Sequence, residues 1–212
     1  MIRSRTACAA VVLASWLGAT ALLSMTVLPT DFNVLLTQAE QIYKARIISV
    51  STDWSGDGAN RHPATFVRLR VLKSYLGGLA GEQTLEFSGG TVGSKTLRIP
   101  GMPEFQPGDI EILFVRGNHT EFCPLAGIYH GRLRVTQNGA NGAEEVQLHD
   151  GTPLFDLSQI GTSRECLKPD LATAAKLAAA KGRQAHAMTS DDFGAAIRAG
   201  LLRNGIAPDR EP

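Results

Sequence analysis

Five histidines are the residues of this chain best suited to bind a metal or to transfer a proton, yet their spacing forms no recognisable motif. They are His62, His119, His130, His149 and His186. No H-E-x-x-H sequence or other close pairing of ligands occurs among them. His149 is adjacent to Asp150, but successive side chains of a strand point to opposite faces, so joint binding of one ion is unfavourable. The sequence therefore predicts no metal site and no cofactor.

The serine and carboxylate side chains likewise lie in no recognisable catalytic motif. The G-x-S-x-G turn of many serine hydrolases is missing from the sequence, and Ser88 stands before Gly89 and Gly90 without a base placed beside it. Several carboxylates lie near the third and fourth predicted strands: Glu82, Glu86, Glu104, Asp109 and Glu111. A facing pair of carboxylates can hydrolyse glycosides, but sequence spacing does not tell which of these side chains face each other. No catalytic residue is predicted.

The stretch from Gly89 to Lys95, GGTVGSK, has the glycines of a phosphate-binding loop but not the spacing. Such a loop has the sequence G-x-x-x-x-G-K-[ST] and leads from a strand into a helix. Here Ser94 separates the last glycine from Lys95, and the prolines that follow oppose a helix. Without a helix N-terminus, the converging N–H groups that bind phosphate are lost. The glycines instead predict a tight turn between the strand ending at Phe87 and one starting near Lys95.

Cysteine usage predicts one disulfide bond in an exported protein. Removal of an N-terminal signal segment would remove Cys8 and leave Cys123 and Cys166, and an even pair in an oxidising compartment favours a bridge. A bridge that closes a loop of this length contributes about 3–4 kcal/mol to stability. The alternative is two buried thiols without a bridge. A nucleophilic role for Cys123 is disfavoured because no flanking signature accompanies it.

The N-terminus has the features of a secretory signal. Arg3 and Arg5 form a short positive region, and no charged residue follows from Thr6 to Thr30. We predict a signal peptide over residues 1–21, cut after Ala21 or as late as about residue 28, and export to the periplasm or the extracellular space. The alternative is an uncleaved anchor, because about 20 apolar residues can span a bilayer. A membrane contact is expected only in that case.

Composition and charge exclude partners that depend on a strong electrostatic field. The chain has 212 residues, of which 43% are hydrophobic and 19% charged, and this is enough apolar material for one core. The formal net charge of +1 supplies no field that would recruit nucleic acid. The basic residues Arg68, Arg70, Lys73 and Arg98 are therefore predicted to form a solvated face. The sequon Asn118-His119-Thr120 matters only in a eukaryotic secretory pathway.

Apolar periodicity and turn residues predict a mainly β domain that begins with a short helix. The helix is expected after a cap at Thr30 or Asp31, and runs of β-branched and aromatic residues then predict strands. The predicted strands are Gln41–Ser51, Ala64–Leu76, Glu82–Ser88, a strand starting near Lys95, Ile110–Val115, Arg132–Thr136 and a short last strand in EEVQLHDG. The sequence Gln106-Pro107-Gly108-Asp109 predicts a type II turn.

The chain changes character after Leu154 and is predicted to end in helices. The alanine-rich stretch KPDLATAAKLAAAKGRQAHA favours a helix with a thin apolar face. Another helix is expected after a cap at Thr189 or Ser190. Its apolar stripe, Phe193, Ile197 and Leu201, should dock on this domain or on a partner. The last residues, IAPDREP, are predicted to fray.

The middle of the chain resembles the netrin-like module, an OB-type barrel found in tissue inhibitors of metalloproteases. The likeness rests on the strand AEQIYKARIISV and on a second strand ending near Lys73, Tyr75 and Gly77, and it covers roughly residues 38–135. The continuations PEFQPGDIEILFV and CPLAGIYHGRLRV also resemble a group of uncharacterised exported bacterial proteins. The resemblance implies a small OB-like β-barrel of five to six strands. It does not imply protease inhibition, because the inhibitors begin with a zinc-binding cysteine and none follows the signal here before Cys123.

Three segments and a ranked set of functions follow from these observations. The segments are the signal peptide 1–21, a β-barrel domain 30–157 and a helical extension 158–212. The favoured hypothesis is an exported, non-enzymatic β-barrel module that binds a protein or a cell-envelope component. Its candidate binding face consists of Arg68, Arg70, Tyr75, Tyr129 and His130. The alternatives are an exported hydrolase whose site forms only in three dimensions and a membrane-tethered structural protein of the envelope.

Overall fold

The computed structural model describes residues 30–138, 142–161 and 186–210, which form a mainly β structure with a helix near each end. The predicted signal peptide, the alanine-rich stretch up to residue 185 and Cys166 lie outside the described residues. The helices are α1 (Phe32–Gln38) and α2 (Ser190–Arg203). Within residues 30–138, 142–161 and 186–210, no helix is both long enough and apolar enough to cross a membrane.

Eight strands are present in the described residues, and seven of them match the predicted strands. They are β1 (Gln41–Ser55), β2 (His62–Leu76), β3 (Glu82–Ser88), β4 (Gly90–Val92), β5 (Lys95–Leu97), β6 (Ile110–Val115), β7 (Arg132–Gln137) and β8 (Glu144–Gln147). By contrast, β4 lies in the stretch predicted to be a turn. The strand predicted to end at Ser51 continues to Ser55, because its pairing with β2 extends to His62. The predicted turn before β6 is confirmed by a hydrogen bond of 3.2 Å from the Asp109 N–H to the Gln106 carbonyl.

Six of the strands form one antiparallel sheet in the order β3-β2-β1-β6-β7-β8. The expected mainly β class is therefore confirmed. Among the described residues, β3 and β8 stand at opposite ends of this order, so no ring of strand pairs closes the sheet into a barrel. The β1–β2 ladder contains three register shifts, near Tyr43, Ala45 and Ser49. Such bulges bend strands and increase their twist.

The two helices cover one side of the sheet, called here the helix-covered side. The side chain of Asp31 caps α1 by accepting a hydrogen bond of 2.8 Å from the Val34 N–H. The predicted stripe of α2 is fully buried, so this helix docks on the chain's own domain. The Phe193 ring lies 5.6 Å from that of Phe32 and 6.4 Å from that of Phe114, between ring centroids. These aromatic contacts join both helices to β6.

The C-terminal tail is held against the sheet, although the sequence predicts fraying. The Asp209 carboxylate accepts hydrogen bonds from the Ser74 hydroxyl at 2.5 Å and from the Gly78 N–H at 2.9 Å. The Asp209 N–H donates to the Tyr75 carbonyl at 2.9 Å. Residue 209 therefore anchors the tail to the end of β2. The anchor depends on a loop more than 100 residues earlier in the chain, which local composition does not reveal.

Candidate functional site

The residues of the predicted binding face lie in three places. Tyr75 is 1% exposed and belongs to the core of the helix-covered side. Arg68 and Arg70 are exposed on β2, where the guanidinium groups lie 3.8 and 2.9 Å from the Glu82 carboxylate. Tyr129 and His130 stack on each other, with ring centroids 4.4 Å apart. Arg68 and Arg70 therefore lie together, as do Tyr129 and His130, whereas Tyr75 is a core residue.

Tyr129 and His130 form an aromatic stack with His149, which the sequence did not connect to them. The Tyr129 and His149 ring centroids are 4.4 Å apart. Burial lowers the pKa of His130 to about 4, and the neighbouring His149 adds to this shift. His130 is therefore neutral at physiological pH. Among residues 30–138, 142–161 and 186–210, no three His, Cys, Asp or Glu side chains have the geometry to hold a metal ion.

Cys123 is buried in the interior and unreactive as a thiol. It is 2% exposed, and burial raises its pKa to about 11. A thiol with so high a pKa stays protonated at neutral pH and is a weak nucleophile. No bridge to Cys123 forms within the part of the chain that the structure describes. Because its expected partner, Cys166, lies outside that part, the disulfide bond stays a prediction.

A groove of about 610 Å³ lies beside the β4–β5 hairpin, and we call it the hairpin groove. One wall is the hairpin itself, and the other is the loop that leads from β5 towards β6. Its apolar lining consists of Val50, Phe87, Leu97, Ile99, Pro100, Met102, Pro103 and Phe105. Its polar lining includes Thr65, Ser88, Thr91, Thr96, Arg98 and Glu104. The volume is in the range of ligand sites, and the lining mixes apolar and polar groups.

The GGTVGSK stretch builds the hairpin wall of this groove. The sequence predicts a turn from the strand ending at Phe87 to one starting near Lys95, but the turn instead joins β4 to β5, and β3 pairs with β2. The Thr52 hydroxyl donates to the Thr91 carbonyl at 2.8 Å, and the Thr65 hydroxyl donates to the Gly89 carbonyl at 2.7 Å. A Cβ atom at Gly90 would lie 2.9 Å from the Thr52 methyl carbon, and Gly90 has a φ of 142°. Only glycine lets the hairpin backbone approach the β1–β2 ladder this closely.

The floor of the groove rests on a buried ion pair. The Phe87 and Phe105 ring centroids are 5.1 Å apart, and the Arg132 guanidinium lies 4.5 Å from the Phe105 centroid. A guanidinium nitrogen of Arg132 donates to Glu111 at 2.7 Å, and Glu111 has no exposed surface. Burial raises the pKa of Glu111, and the hydrogen bond and charge of Arg132 only partly oppose this shift. The floor therefore combines an aromatic surface with buried charge.

At the rim of the groove, Ser88 contacts a histidine on the face of β3 opposite to Phe87. The Ser88 hydroxyl oxygen lies 3.3 Å from Nε2 of His62, and Ser88 lines the groove. The pairing of Ala64 with Ser88 places His62 diagonally opposite Ser88 on the neighbouring strand. Nδ1 of His62 lies 2.8 Å from the Asn60 carbonyl oxygen. Sequence reasoning missed this contact because the two residues are 26 positions apart and only the strand register joins them.

Next to this pair, Glu86 is the centre of a polar network on the outer side of β3. It accepts hydrogen bonds from the Ser55 hydroxyl and, at 2.9 Å, from Nδ1 of His119. The backbone of His119 is left-handed, with a φ of 67°. Burial alone would raise the pKa of Glu86. The hydrogen bonds from Ser55 and His119, with the charges of His119 and His62, outweigh burial and lower it. Glu86 is therefore an anion close to His62.

The sequon asparagine extends the edge of β3 by hydrogen bonding. The Asn118 side-chain oxygen accepts from the Glu86 N–H at 3.1 Å, and its amide nitrogen donates to the Thr84 carbonyl at 2.9 Å. The Ser88 N–H donates to the Phe122 carbonyl at 2.8 Å. These bonds satisfy backbone groups of an edge strand. The Asn118 amide that would carry a glycan is thus engaged with the sheet.

Comparisons of the chain with protein-family models, with curated proteins and with solved structures found no match. Function is therefore inferred from the chemistry and shape of the hairpin groove.

Proposed function

We propose that this chain is an exported β-sheet module that binds an extended segment of a partner protein in the hairpin groove. The observation that carries the proposal is the groove of about 610 Å³, walled by the β4–β5 hairpin and floored by Phe87 and Phe105. Its apolar lining offers pockets for side chains. The opposite charges of Arg98 and Glu104 among the lining residues suit a polar peptide backbone and its mixed side chains.

The edge of β5 favours an extended peptide over a compact ligand. Among the described residues, β5 pairs only with β4, in a two-stranded sheet. Its second edge therefore has backbone N–H and C=O groups available to another strand. Thr96 and Leu97 of β5 also line the groove. An extended peptide can pair with such an edge through its backbone while alternate side chains enter the adjacent cleft.

Export is part of the proposal because of the N-terminal sequence. The uncharged run from Thr6 to Thr30 after two arginines supports a signal peptide and a site of action in the periplasm or the extracellular space. A partner in that compartment is another exported protein or a protein of the cell envelope. If the N-terminal segment is retained, the same groove would work at the membrane surface.

We also propose that the six-stranded sheet curls as an OB-type barrel of the netrin-like kind. The bulges of the β1–β2 ladder support this curvature. Residues of β1, β2, β3 and β6 share one buried apolar cluster on the side opposite the helices, together with Phe105 and Cys123. A flat sheet would leave such a cluster open to water. An experimental structure with a flat sheet and a solvent-exposed cluster would contradict this part of the proposal.

Peptide selection tests the binding proposal directly. A displayed library of random 12-residue peptides is selected on the full mature chain, and the dissociation constants of the selected peptides are measured by calorimetry. We expect Leu97→Asp, in the groove, to weaken binding by about tenfold or more, because it places a charge in an apolar site. Leu72→Asp is the matched control, since Leu72 is 47% exposed on β2 and does not line the groove.

The proposal predicts opposite effects of the two variants on peptide binding. Binding that is lost in Leu97→Asp and kept in Leu72→Asp supports the groove as the peptide site. Equal loss in both variants, no loss in Leu97→Asp, or a library that yields no binder would overturn the proposal. Thermal unfolding of each variant checks that the fold is retained.

A further inference from the structure

The contact between Ser88 and His62 has the tautomer that a serine nucleophile requires. The Asn60 carbonyl oxygen, 2.8 Å from Nδ1 of His62, only accepts hydrogen bonds, so Nδ1 carries the proton. Nε2 then has a free electron pair directed at the Ser88 hydroxyl, 3.3 Å away. A general base must reach the hydroxyl in this way, and such contacts are often longer before substrate binds.

The carboxylate of Glu86 lies near the Ser88–His62 pair. Glu86 lies on the same strand as Ser88, two residues earlier, so both side chains are on the same face of β3. His62 is close enough for its charge to act on the Glu86 carboxylate. The Asn60 carbonyl orients the imidazole ring. In serine hydrolases, the third residue of the catalytic triad has this role.

Ser88 is also accessible to a substrate. It is only partly buried, and its side chain lies on the face of β3 opposite to Phe87, at the rim of the hairpin groove. Its N–H donates to the Phe122 carbonyl, which fixes its backbone. Gly89 and Gly90 follow with φ values of 108° and 142°, and this backbone turns away from β3 immediately after the serine. A Cβ atom at Gly89 would lie 3.2 Å from the Leu97 carbonyl oxygen. The glycines thus hold the hairpin next to Ser88 without a side chain in between.

We propose that Ser88 is a nucleophile that accepts the acyl group of an ester bound at the end of β3 beside the β4–β5 hairpin, with His62 as its general base. This activity goes beyond peptide binding and does not depend on it. The sequence predicts no catalytic residue, so the proposal rests on the three-dimensional contact alone.

The reaction balances without any further reagent. The Ser88 oxygen forms a bond to the carbonyl carbon while its proton passes to Nε2 of His62. The carbon–oxygen bond to the leaving alcohol then breaks, and His62 returns the proton to that alcohol. Water, with His62 again as base, hydrolyses the acyl-serine and releases a carboxylic acid.

A fluorophosphonate probe tests the nucleophile. It forms a phosphorus–oxygen bond to an activated serine and releases fluoride, and peptide mass spectrometry locates the modified residue. The full mature chain and four variants are compared: Ser88→Ala, His62→Gln, and the controls Ser51→Ala and His186→Gln, which change exposed residues outside the groove. We expect modification at Ser88 only. It should be abolished in Ser88→Ala and slowed by about 100-fold or more in His62→Gln, which is the usual range for loss of a general base.

Every outcome of this experiment is decisive. Modification of Ser88 that depends on His62 and is unchanged in both controls supports the proposal. An unmodified wild-type chain, modification at another serine, or a Ser88 rate unaffected by His62→Gln would overturn it. Circular dichroism and thermal unfolding of each variant separate loss of reactivity from loss of fold. The peptide affinities described above are measured on the same samples, so failure of the nucleophile and failure of the peptide site are told apart.

Discussion

The two sides of the sheet differ in what they bury. The helix-covered side buries mainly apolar side chains, among them Phe32, Phe114 and Phe193, and its polar groups include caps, tail contacts and the partly exposed Lys44–Glu144 ion pair. The opposite side buries the Glu111–Arg132 pair and opens into the hairpin groove. Buried charge is costly, and apolar residues in its place are often as stable. Both sides bury an apolar cluster, but only the side opposite the helices combines it with the fully buried Glu111 carboxylate and an adjoining groove.

The largest expected effect is on the helix-covered side. Phe193→Ala removes a ring that has no exposed surface and contacts two other aromatic rings. We expect the free energy of unfolding to fall by about 3–5 kcal/mol, because the cavity left behind adds to the lost apolar burial. Leu202→Ala is the matched control on the same helix, since Leu202 is 64% exposed, and it should change stability by less than about 0.5 kcal/mol. Denaturant titration measures both. A small loss for Phe193→Ala would contradict the burial of this ring in the apolar cluster of the helix-covered side.

A smaller effect on stability, with a large one on binding, is expected in the hairpin. Gly90→Ala would place a Cβ atom 2.9 Å from Thr52 at a φ of 142°, so the hairpin must move. We expect about 1–3 kcal/mol of destabilisation from this strain, and at least about tenfold weaker binding of the selected peptides. Gly93→Ala is the control, because Gly93 has a φ of 59° but nothing within 4 Å of a Cβ atom. It should cost about 1–2 kcal/mol and leave peptide affinity unchanged. Equal affinities for both variants would remove the hairpin from the site.

The smallest expected effect is a change in how the free energy of unfolding depends on pH. It arises from Glu111, on the side opposite the helices. Because burial raises the pKa of Glu111, the unfolded chain releases this proton at a lower pH than the folded chain does. The wild-type free energy of unfolding should therefore fall as pH rises from the ordinary glutamate pKa towards the raised one. Glu111→Gln lacks this proton, so its stability relative to wild type should increase over that range. Denaturant titrations from about pH 4 to pH 8 measure the difference. A difference that is constant or decreases with pH would show that the pKa of Glu111 is not raised.

Local patterns in the sequence predicted most of the elements, because each strand carries its own alternation and its own turn residues. The glycines of GGTVGSK indicated a turn but not the β4 strand, and the docking of α2 followed from its apolar stripe. Burial of Glu111 could also have been found, since it alternates with Leu113 and Val115 in a strand whose other residues are apolar. This signal was hidden because the strand as a whole is almost entirely hydrophobic.

The site depended on register and on distant segments, and these could not be predicted. His62 reaches Ser88 only because Ala64 pairs with Ser88 in the β2–β3 ladder. Tyr75 was expected on a binding face, but α2, more than 100 residues later, covers it. The sequence placed Arg68 and Arg70 on one face of a strand. It did not reveal that both guanidinium groups lie beside the Glu82 carboxylate. Spacing along one strand does not determine which strand lies beside it.

Hydrogen exchange with a selected peptide bound tests the division between the two sides most directly. The exchange rates of backbone amides are compared in the free and the peptide-bound chain, residue by residue. We expect slower exchange in residues 89–105, which form the walls of the hairpin groove, and unchanged exchange in α1 and α2. Slower exchange centred on the two helices, with no change in residues 89–105, would show that the helix-covered side is the binding surface and would contradict the account.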